Sequence, residues 1–475
     1  MKALFIHRIL DGTAVGRVPL GCLYVGASLK QAGHAVQLVD GCDPRHVRDH
    51  IRRHRPDVLL YSTYSSSHGH YIALNRQLKR EFPHLVSLFG GIHPTFFPQM
   101  VHEDGVDAVC RGEGEDAIVD FLGRMERGDP VHTTPNFWVK HEGQVVENPV
   151  RPLVGDIDRL PFPDRALLDA YPSVRRFGSR SFISARGCPY NCTYCFNKPY
   201  YTEVYTERGK RVRKRSVENV VEEIAREQAE CPFEIVQFED DIFVFSVDWL
   251  REFRQLYTRR VGLPFICNMR AELLSDDVAR LLAEAGCRSV WIGLEAGNEQ
   301  VLRTLLHRNT PNSRTIEAVE TIHRHGMNCA LELMVGLPTT TLEHDLESLD
   351  VCLRCRPTYA NTHIFQPLPG IELTRVAIEN REFEGDFERL GDYYRSSTLR
   401  KGHARALNNL AHLLPLTVRF PALRPLLEPL LLRLPARPVY AAAHKLFKTY
   451  TIARRLLPLR PSRYFPLYAY RRLFK

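Results

Sequence analysis

The chain of 475 residues has no run of about 18 apolar residues, so no segment reads as a membrane span. No secretory leader is expected either. The opening apolar run stops at His7-Arg8, has neither the length nor the cleavage site of a signal peptide, and reads as a first strand. The twelve cysteines are mostly scattered and suggest no disulfide framework, which suits a reducing cytoplasm. Acid is nearly missing from the last part. Residues 401–475 hold 15 Lys+Arg and one acidic residue, Glu428, for a net +14, whereas the rest of the chain has 49 Lys+Arg against 54 Asp+Glu. The formal charge of +9 is therefore a property of the tail and not of the body. Hydrophobic content of 44% and charged content of 25% are those of a globular protein. The length exceeds one ordinary core and predicts two domains plus an appendage.

Three cysteines stand apart from the scatter. Cys188, Cys192 and Cys195 lie in Ser-Ala-Arg-Gly-Cys-Pro-Tyr-Asn-Cys-Thr-Tyr-Cys-Phe-Asn, a CxxxCxxC pattern followed by an aromatic residue. Spacing of i, i+4, i+7 also suits one face of a helix. Gly187, Pro189 and Asn191 favour a loop instead. A zinc site would want a fourth ligand, usually from a second cysteine pair, and the next cysteine, Cys231, stands alone. Cys352 and Cys355 form a CxxC, but in a predicted helix without a companion motif, so they read as helical or surface thiols. Three thiolates this close can hold three irons of a 4Fe–4S cluster, leaving the fourth iron open to a small molecule.

This motif resembles that of the radical S-adenosylmethionine enzymes. The resemblance implies that the open iron binds the amino and carboxylate groups of S-adenosylmethionine. One electron then cleaves a carbon–sulfur bond and yields a 5′-deoxyadenosyl radical.

Ahead of the motif, short apolar runs alternate with helical stretches. Strands are expected at Ala3–His7, Ala35–Val39, Val58–Ser62, Leu85–Phe89 and Ala108–Cys110, with helices near 20–32, 44–54, 69–82 and 115–126. Such alternation predicts a doubly wound parallel sheet, Rossmann-like in type, which binds ligands beyond the carboxyl ends of its strands. Those ends carry Ser62 to Ser67, Gly90-Gly91-Ile92-His93-Pro94-Thr95, and Gly112-Glu113-Gly114-Glu115. With Pro19-Leu20-Gly21 opening the first helix, residues 1–126 resemble the cobalamin-binding domains that precede a radical S-adenosylmethionine core. The resemblance implies cobalamin contacts from Ser62, Ser65, Gly90, Gly91, His93 and Gly112, the glycines letting the cofactor's nucleotide tail approach the backbone. The Asp-x-His-x-x-Gly motif that places histidine on cobalt is missing after the first strand. Cobalt is therefore expected to have no histidine below it, and His68 and His93 read equally as hydrogen-bonding loop residues. Glycine-rich loops on such sheets also bind other nucleotides.

Residues 127–180 read as a linker with a hairpin, Asn136–Lys140 and Gln144–Asn148, and an irregular proline-rich stretch from Leu160 to Arg165. From Ser181 the alternation resumes, with strands at Ser181–Ser184, Glu234–Glu239, Pro264–Asn268, Ser289–Gly293, Cys329–Val335 and Asn361–Phe365. Ser216 and Ser275 are expected to cap the helices that follow them. Six such units over 181–385 suit the partial (β/α)6 barrel of the family, and chemistry in parallel barrels gathers at the carboxyl ends of strands. By resemblance Asp240 and Asp241 meet the amino group of S-adenosylmethionine, Arg270 its carboxylate, Glu295 the ribose, and Gly336 and Pro338 the adenine side. Plainer readings stand beside these. They are an acidic turn, a surface salt bridge at Arg270, and ordinary strand-to-helix turns.

The expected protein is thus α/β, with a basic, mainly helical segment at 386–475. The expected activity is that of a cobalamin-dependent radical S-adenosylmethionine enzyme. It methylates an unactivated carbon of a small or lipid-like metabolite through a 5′-deoxyadenosyl radical and methylcobalamin. Rivals are an oxidative cyclase or rearrangement enzyme with the same cofactors, a transfer-RNA methylthiotransferase, and a cobalamin-binding module without catalysis. An external electron donor such as flavodoxin or ferredoxin is expected, and nucleic acid is not. The expected location is the cytoplasm, with peripheral contact at the inner face of the membrane through 401–475. There Ala441–Leu457 mixes Lys445, Lys448, Arg454 and Arg455 with apolar residues in the manner of an interfacial helix, and Phe465 and Tyr468 add aromatics beyond it. The competing expectation is that the tail caps the barrel.

Overall fold

The computed structural model describes residues 1–9, 19–206, 210–387, 390, 396–457 and 459. They cluster into two units. One is Met1–Arg175 with Lys198–Arg213, and the other is Arg176–Asn197 with the remainder from Lys214 onward.

The first unit is built on β1 (Lys2–His7), β2 (Ala35–Asp40), β3 (Val58–Ser62), β4 (Val86–Gly90) and β5 (Ala108–Cys110). These are apolar runs, as strands covered by helices on both faces must be. They pair in parallel in the order β2-β1-β3-β4-β5. The order reverses between β1 and β3, and a crevice opens at such a switch beyond the carboxyl ends. The helices Leu20–Gln31, Pro44–His54, His68–Glu81 and Glu115–Arg127 follow the expected ones closely.

The segment read as a linker is largely part of this unit. The hairpin of β6 (Phe137–His141) and β7 (Gln144–Glu147) extends the sheet antiparallel beyond β5. Beyond it, Leu167, Leu168, Tyr171 and Val174 enter the core beside the first helix, and the Tyr171 hydroxyl accepts the Asp40 N–H at 2.7 Å. Physically, β5 offers an edge of unpaired backbone groups, and the hairpin covers it.

In the second unit β8 (Ser179–Phe182) comes first, followed by the short β9 (Ala185–Arg186), and β10 (Arg213–Lys214) lies where the chain returns to this unit. Then come β11 (Ile235–Phe238), β12 (Phe265–Met269), β13 (Cys287–Glu295), β14 (Asn328–Val335) and β15 (Tyr359–Ile364). Six strands form one parallel sheet in the order β15-β14-β13-β12-β11-β8, the partial barrel expected. Ser216 and Ser275 cap their helices, each side chain accepting a backbone N–H three residues on. Alternation sorts β14 into two faces. Cys329, Leu331, Leu333 and Val335 join the main core under the helices, while Ala330 and Met334 pack in separate clusters on the inner side. Cys352 and Cys355 are helical as expected but buried in that core, not at the surface.

The C-terminal segment does not stand apart from the barrel. The helix Ala404–Arg419 buries Leu407, Leu410, Leu413 and Leu414 in the main core, and packs on β15, an edge strand. The helix Arg437–Thr451 packs on the first of these and sends Ile452 and Leu456, just past its end, against Ala330 and Tyr359 on the inner side of the sheet. An open parallel sheet leaves an uncovered edge, and this segment covers it. The boundary expected near residue 385 is therefore not the end of the core. Phe465 and Tyr468 lie outside the described residues.

Candidate cofactor sites

The CxxxCxxC segment follows β8 as a loop and not a helix, with Gly187 at φ +88°. Cys192 is buried, and Cys188 and Cys195 are partly exposed. Donors surround the sulfurs. Arg270 Nη1 lies 3.5 Å from Cys192 Sγ, and both the backbone N–H and the side-chain amide of Asn197 lie 3.5 Å from Cys195 Sγ. Burial pushes the Cys188 thiol up to about 11 and the Cys195 thiol up to about 12. Among the described residues no three His, Cys, Asp or Glu side chains converge on a point where one metal ion would sit. In a 4Fe–4S cluster each thiolate takes its own iron. One partly exposed loop, three thiols and N–H donors aimed at sulfur fit such a group.

The loop is fastened to the next strands. The Thr193 hydroxyl donates to the Leu305 carbonyl at 2.6 Å. The Arg308 guanidinium donates to the Tyr194 hydroxyl at 3.1 Å and to the Gly293 carbonyl at 2.7 Å, and lies 3.4 Å from the Glu295 carboxylate. Glu295 ends β13 at φ +66°, where the register with β14 shifts. A Cβ on Gly293 would collide with the Glu295 carboxylate, so only glycine allows that side chain to fold back. Burial raises the Glu295 carboxyl, and the Arg308 charge opposes the rise. A carboxylate held in a strained backbone conformation at the end of an apolar strand is the mark of a functional group.

The two expected aspartates part company. Asp240 is buried, and its carboxylate accepts the Ser184 N–H at 3.0 Å and the Ser184 hydroxyl at 2.7 Å. Lys214 donates to the same hydroxyl at 2.7 Å, and burial lowers its ammonium to about 8. Asp240 therefore fixes the turn between β8 and the cysteine loop. Asp241 is exposed and accepts from the Asn197 amide at 3.0 Å, beside the loop. Arg270 is not a surface pair. It is buried, bridges to Glu272 at 2.5 Å, and stacks 3.7 Å from the centre of the Tyr190 ring. Gly336 has φ +70°, and its N–H goes to the buried Asp345 carboxylate at 3.1 Å. Pro338 is buried in the same turn.

Sequence reasoning missed Arg308, Tyr194 and Lys214, and also a polar row on the inner face. There both Glu332 oxygens accept from the Asn361 amide at 2.9 Å, and His363 Nε2 lies 2.7 Å from Glu332. Lys448, from the C-terminal helix, donates to Asn361 Oδ1 at 2.9 Å. Glu332 and His363 keep 28% and 27% exposure, so the row is open to a ligand. The one available signal was the charged Glu332 inside an otherwise apolar strand.

In the first unit, Gly91 has φ +98°, and a Cβ there would lie 2.9 Å from the Thr63 backbone. Gly112, at φ +76°, faces the Tyr205 ring, whose hydroxyl accepts the Glu113 N–H at 2.8 Å. Both glycines thus serve close approaches of the chain to itself. Gly90, by contrast, leaves ordinary space at its Cα. Ser62 ends β3, and a hydrogen bond joins it to Cys22. His93 is buried between the His68 and Phe97 rings, with Nδ1 3.1 Å from the Ser65 hydroxyl. Burial, helped by His68, lowers the His93 imidazole to about 3, so it is neutral.

Comparison with known proteins gives the two halves independent matches. A B12 binding domain model matches residues 14–122, and a Radical SAM superfamily model matches residues 182–352. An uncharacterized methyltransferase of Pyrococcus horikoshii is 27% identical over 80% of this chain and 84% of its own. The anaerobic magnesium-protoporphyrin IX monomethyl ester cyclase of Rubrivivax gelatinosus is 26% identical over 78% of this chain and 69% of its own. The solved structure of TsrM from Kitasatospora setae, a radical S-adenosylmethionine methyltransferase with cobalamin and a 4Fe–4S cluster bound, shares the fold. Its TM-score is 0.65 at 17% identity, over 80% of this chain and 75% of that one.

Proposed function

The chain belongs to the radical S-adenosylmethionine enzymes that carry a B12-binding domain, with a 4Fe–4S cluster, S-adenosylmethionine and cobalamin as cofactors, and from that premise we propose that it methylates an unactivated carbon of a small or lipid-like metabolite. When bound, these groups supply an electron, a 5′-deoxyadenosyl radical and a transferable methyl group. The observation that carries the reading is the cysteine loop on the end of β8, tied through Tyr194 and Arg308 to Glu295.

In this reading Cys188, Cys192 and Cys195 hold the cluster. Asn197 and Arg270 donate toward the sulfurs of Cys195 and Cys192. Asp241, beside the loop, accepts from the substrate ammonium of S-adenosylmethionine, and Asp240 only positions that turn. Glu295, held by Arg308, accepts from ribose hydroxyls. Gly336 and Pro338 shape the adenine side, with Asp345 fixing the Gly336 N–H. Ser62, Ser65, Gly90, Gly91, His93 and Gly112 form the rim of the cobalamin crevice. The half-open row of Glu332, Asn361 and His363 anchors a polar group of the metabolite. Delivery of the electron falls to a donor such as flavodoxin or ferredoxin. Segment 401–475 makes peripheral contact with the inner face of a membrane.

Protein purified without oxygen should contain iron and corrinoid and should form 5′-deoxyadenosine. Given S-adenosylmethionine carrying a deuterated methyl group, it should place that methyl on a metabolite from its own host extract. The relative that is a cyclase keeps a second reading in view. Cleavage with no label transferred, and a product that has lost hydrogen, would favour cyclisation or rearrangement.

A further inference from the structure

Nine large hydrophobic side chains are exposed among the described residues, and seven of them fall between Phe420 and Tyr450. Capping the barrel accounts for the inward face of this segment but not for the outward one. On the helix Arg437–Thr451 the two faces separate cleanly. His444 is buried and bonded to the Tyr359 hydroxyl at 2.8 Å, and Lys448 reaches Asn361. Val439, Leu446 and Tyr450 stand at i, i+7 and i+11, one outward stripe, and are 66%, 60% and 64% exposed. Ahead of the helix, Phe420, Leu426 and Leu430 are about half exposed. Exposed prolines and alanines fill the intervening positions, and Arg419, Arg433, Arg454 and Arg455 are exposed among them. The single acid, Glu428, is paired with Arg424 at 2.6 Å.

We infer that this outward face is a docking surface for an anionic phospholipid bilayer. Large apolar side chains gathered on one surface mark a contact site, since soluble surfaces scatter them. Near-total lack of acid beside the exposed arginines selects a negative partner. Aromatic and leucine side chains next to arginine suit the depth of the headgroup region. Among the described residues no helix is long and apolar enough to cross a membrane, so the contact is peripheral. The inference deepens the peripheral contact of the proposed function and is independent of the radical chemistry. It also suggests a route for an apolar substrate. The helix that meets the lipid is the helix whose other face lends Lys448 to the inner polar row.

Flotation of the full-length holoprotein tests it. The protein should float with phosphatidylcholine vesicles that contain phosphatidylglycerol, and less as salt is added. Leu446→Asp with Tyr450→Asp, and separately Arg454→Glu with Arg455→Glu, should each weaken binding by about tenfold. All four side chains are exposed, so melting temperature and elution volume should stay unchanged. Absence of flotation at low salt overturns the inference. So does variant binding equal to that of the native chain, or a dimer that the Asp variant dissolves, since the face would then be a protein contact. Formation of 5′-deoxyadenosine, measured on the same preparations, reports on the proposed function alone.

Discussion

The Arg308 guanidinium lies 3.4 Å from the Glu295 carboxylate, and the two side chains are only 5% and 14% exposed. Arg308 also binds Tyr194 of the cysteine loop, so one cation joins the loop to the end of β13. Arg308→Met should therefore leave a largely enclosed carboxylate without its partner and cost about 3 kcal/mol of stability. Affinity for S-adenosylmethionine should fall by about tenfold or more while iron content stays whole. Adding Glu295→Gln should restore most of the stability but not the affinity. Equilibrium dialysis and thermal melts of the three variants check this, and full affinity in Arg308→Met would refute it.

Replacing Cys188, Cys192 and Cys195 together by alanine should remove iron and abolish 5′-deoxyadenosine formation. Cys352→Ala with Cys355→Ala should leave both intact, because those thiols are buried in the helical core. Iron analysis and absorbance distinguish the cases. Full iron in the triple variant would end the assignment.

Asp345 gives a pH test. Burial raises its carboxyl to about 7, whereas the unfolded chain ionises near the ordinary value of about 4. The stability it contributes is whole below about pH 4 and is lost as pH rises through about 7. Asp345→Asn cannot ionise and still offers an oxygen to the Gly336 N–H. Between about pH 5 and pH 8 the variant should gain roughly 2–4 kcal/mol relative to the native protein. Denaturant titrations across that window measure it, and parallel curves would refute the cause given.

For the first unit, corrinoid bound to the protein should show no histidine on cobalt. His93 is neutral, stacked on two rings and turned to Ser65. Paramagnetic resonance of the cobalt(II) form should lack nitrogen splitting from a protein imidazole, and should not change in His68→Ala. Gly91→Ala should cost about 2–3 kcal/mol and abolish corrinoid uptake, because the new methyl group meets the Thr63 backbone. Nitrogen splitting that vanishes in a His93 variant would contradict the prediction.

What was legible in the sequence had a local cause. β3 and β11 read as strands because both faces are covered and their residues are mostly apolar. The cysteine loop was legible because Gly187, Pro189 and Asn191 exclude a helix within a few residues of the thiols. What stayed hidden depended on partners far along the chain. Arg308 meets Tyr194 from 114 residues away, and nothing in its own neighbourhood marks it among the other basic residues. Asp240 and Asp241 are alike as a sequence, yet one is sealed under Ser184 and the other lies beside the loop. The hairpin was found, but not its pairing with β5, because an antiparallel addition leaves no trace in the hairpin's own residues.

The helix Arg437–Thr451 is a wall with two tenants, and as sequences diverge its positions should age at different speeds. His444 is held by Tyr359 and His412, and Lys448 by Asn361, so neither can change unless its partners change too. Val439, Leu446 and Tyr450 answer to no single residue of the fold, and any apolar side chain of similar bulk would serve in their place. The heritable record of this helix should therefore read as a conserved stripe and a drifting one, alternating turn by turn.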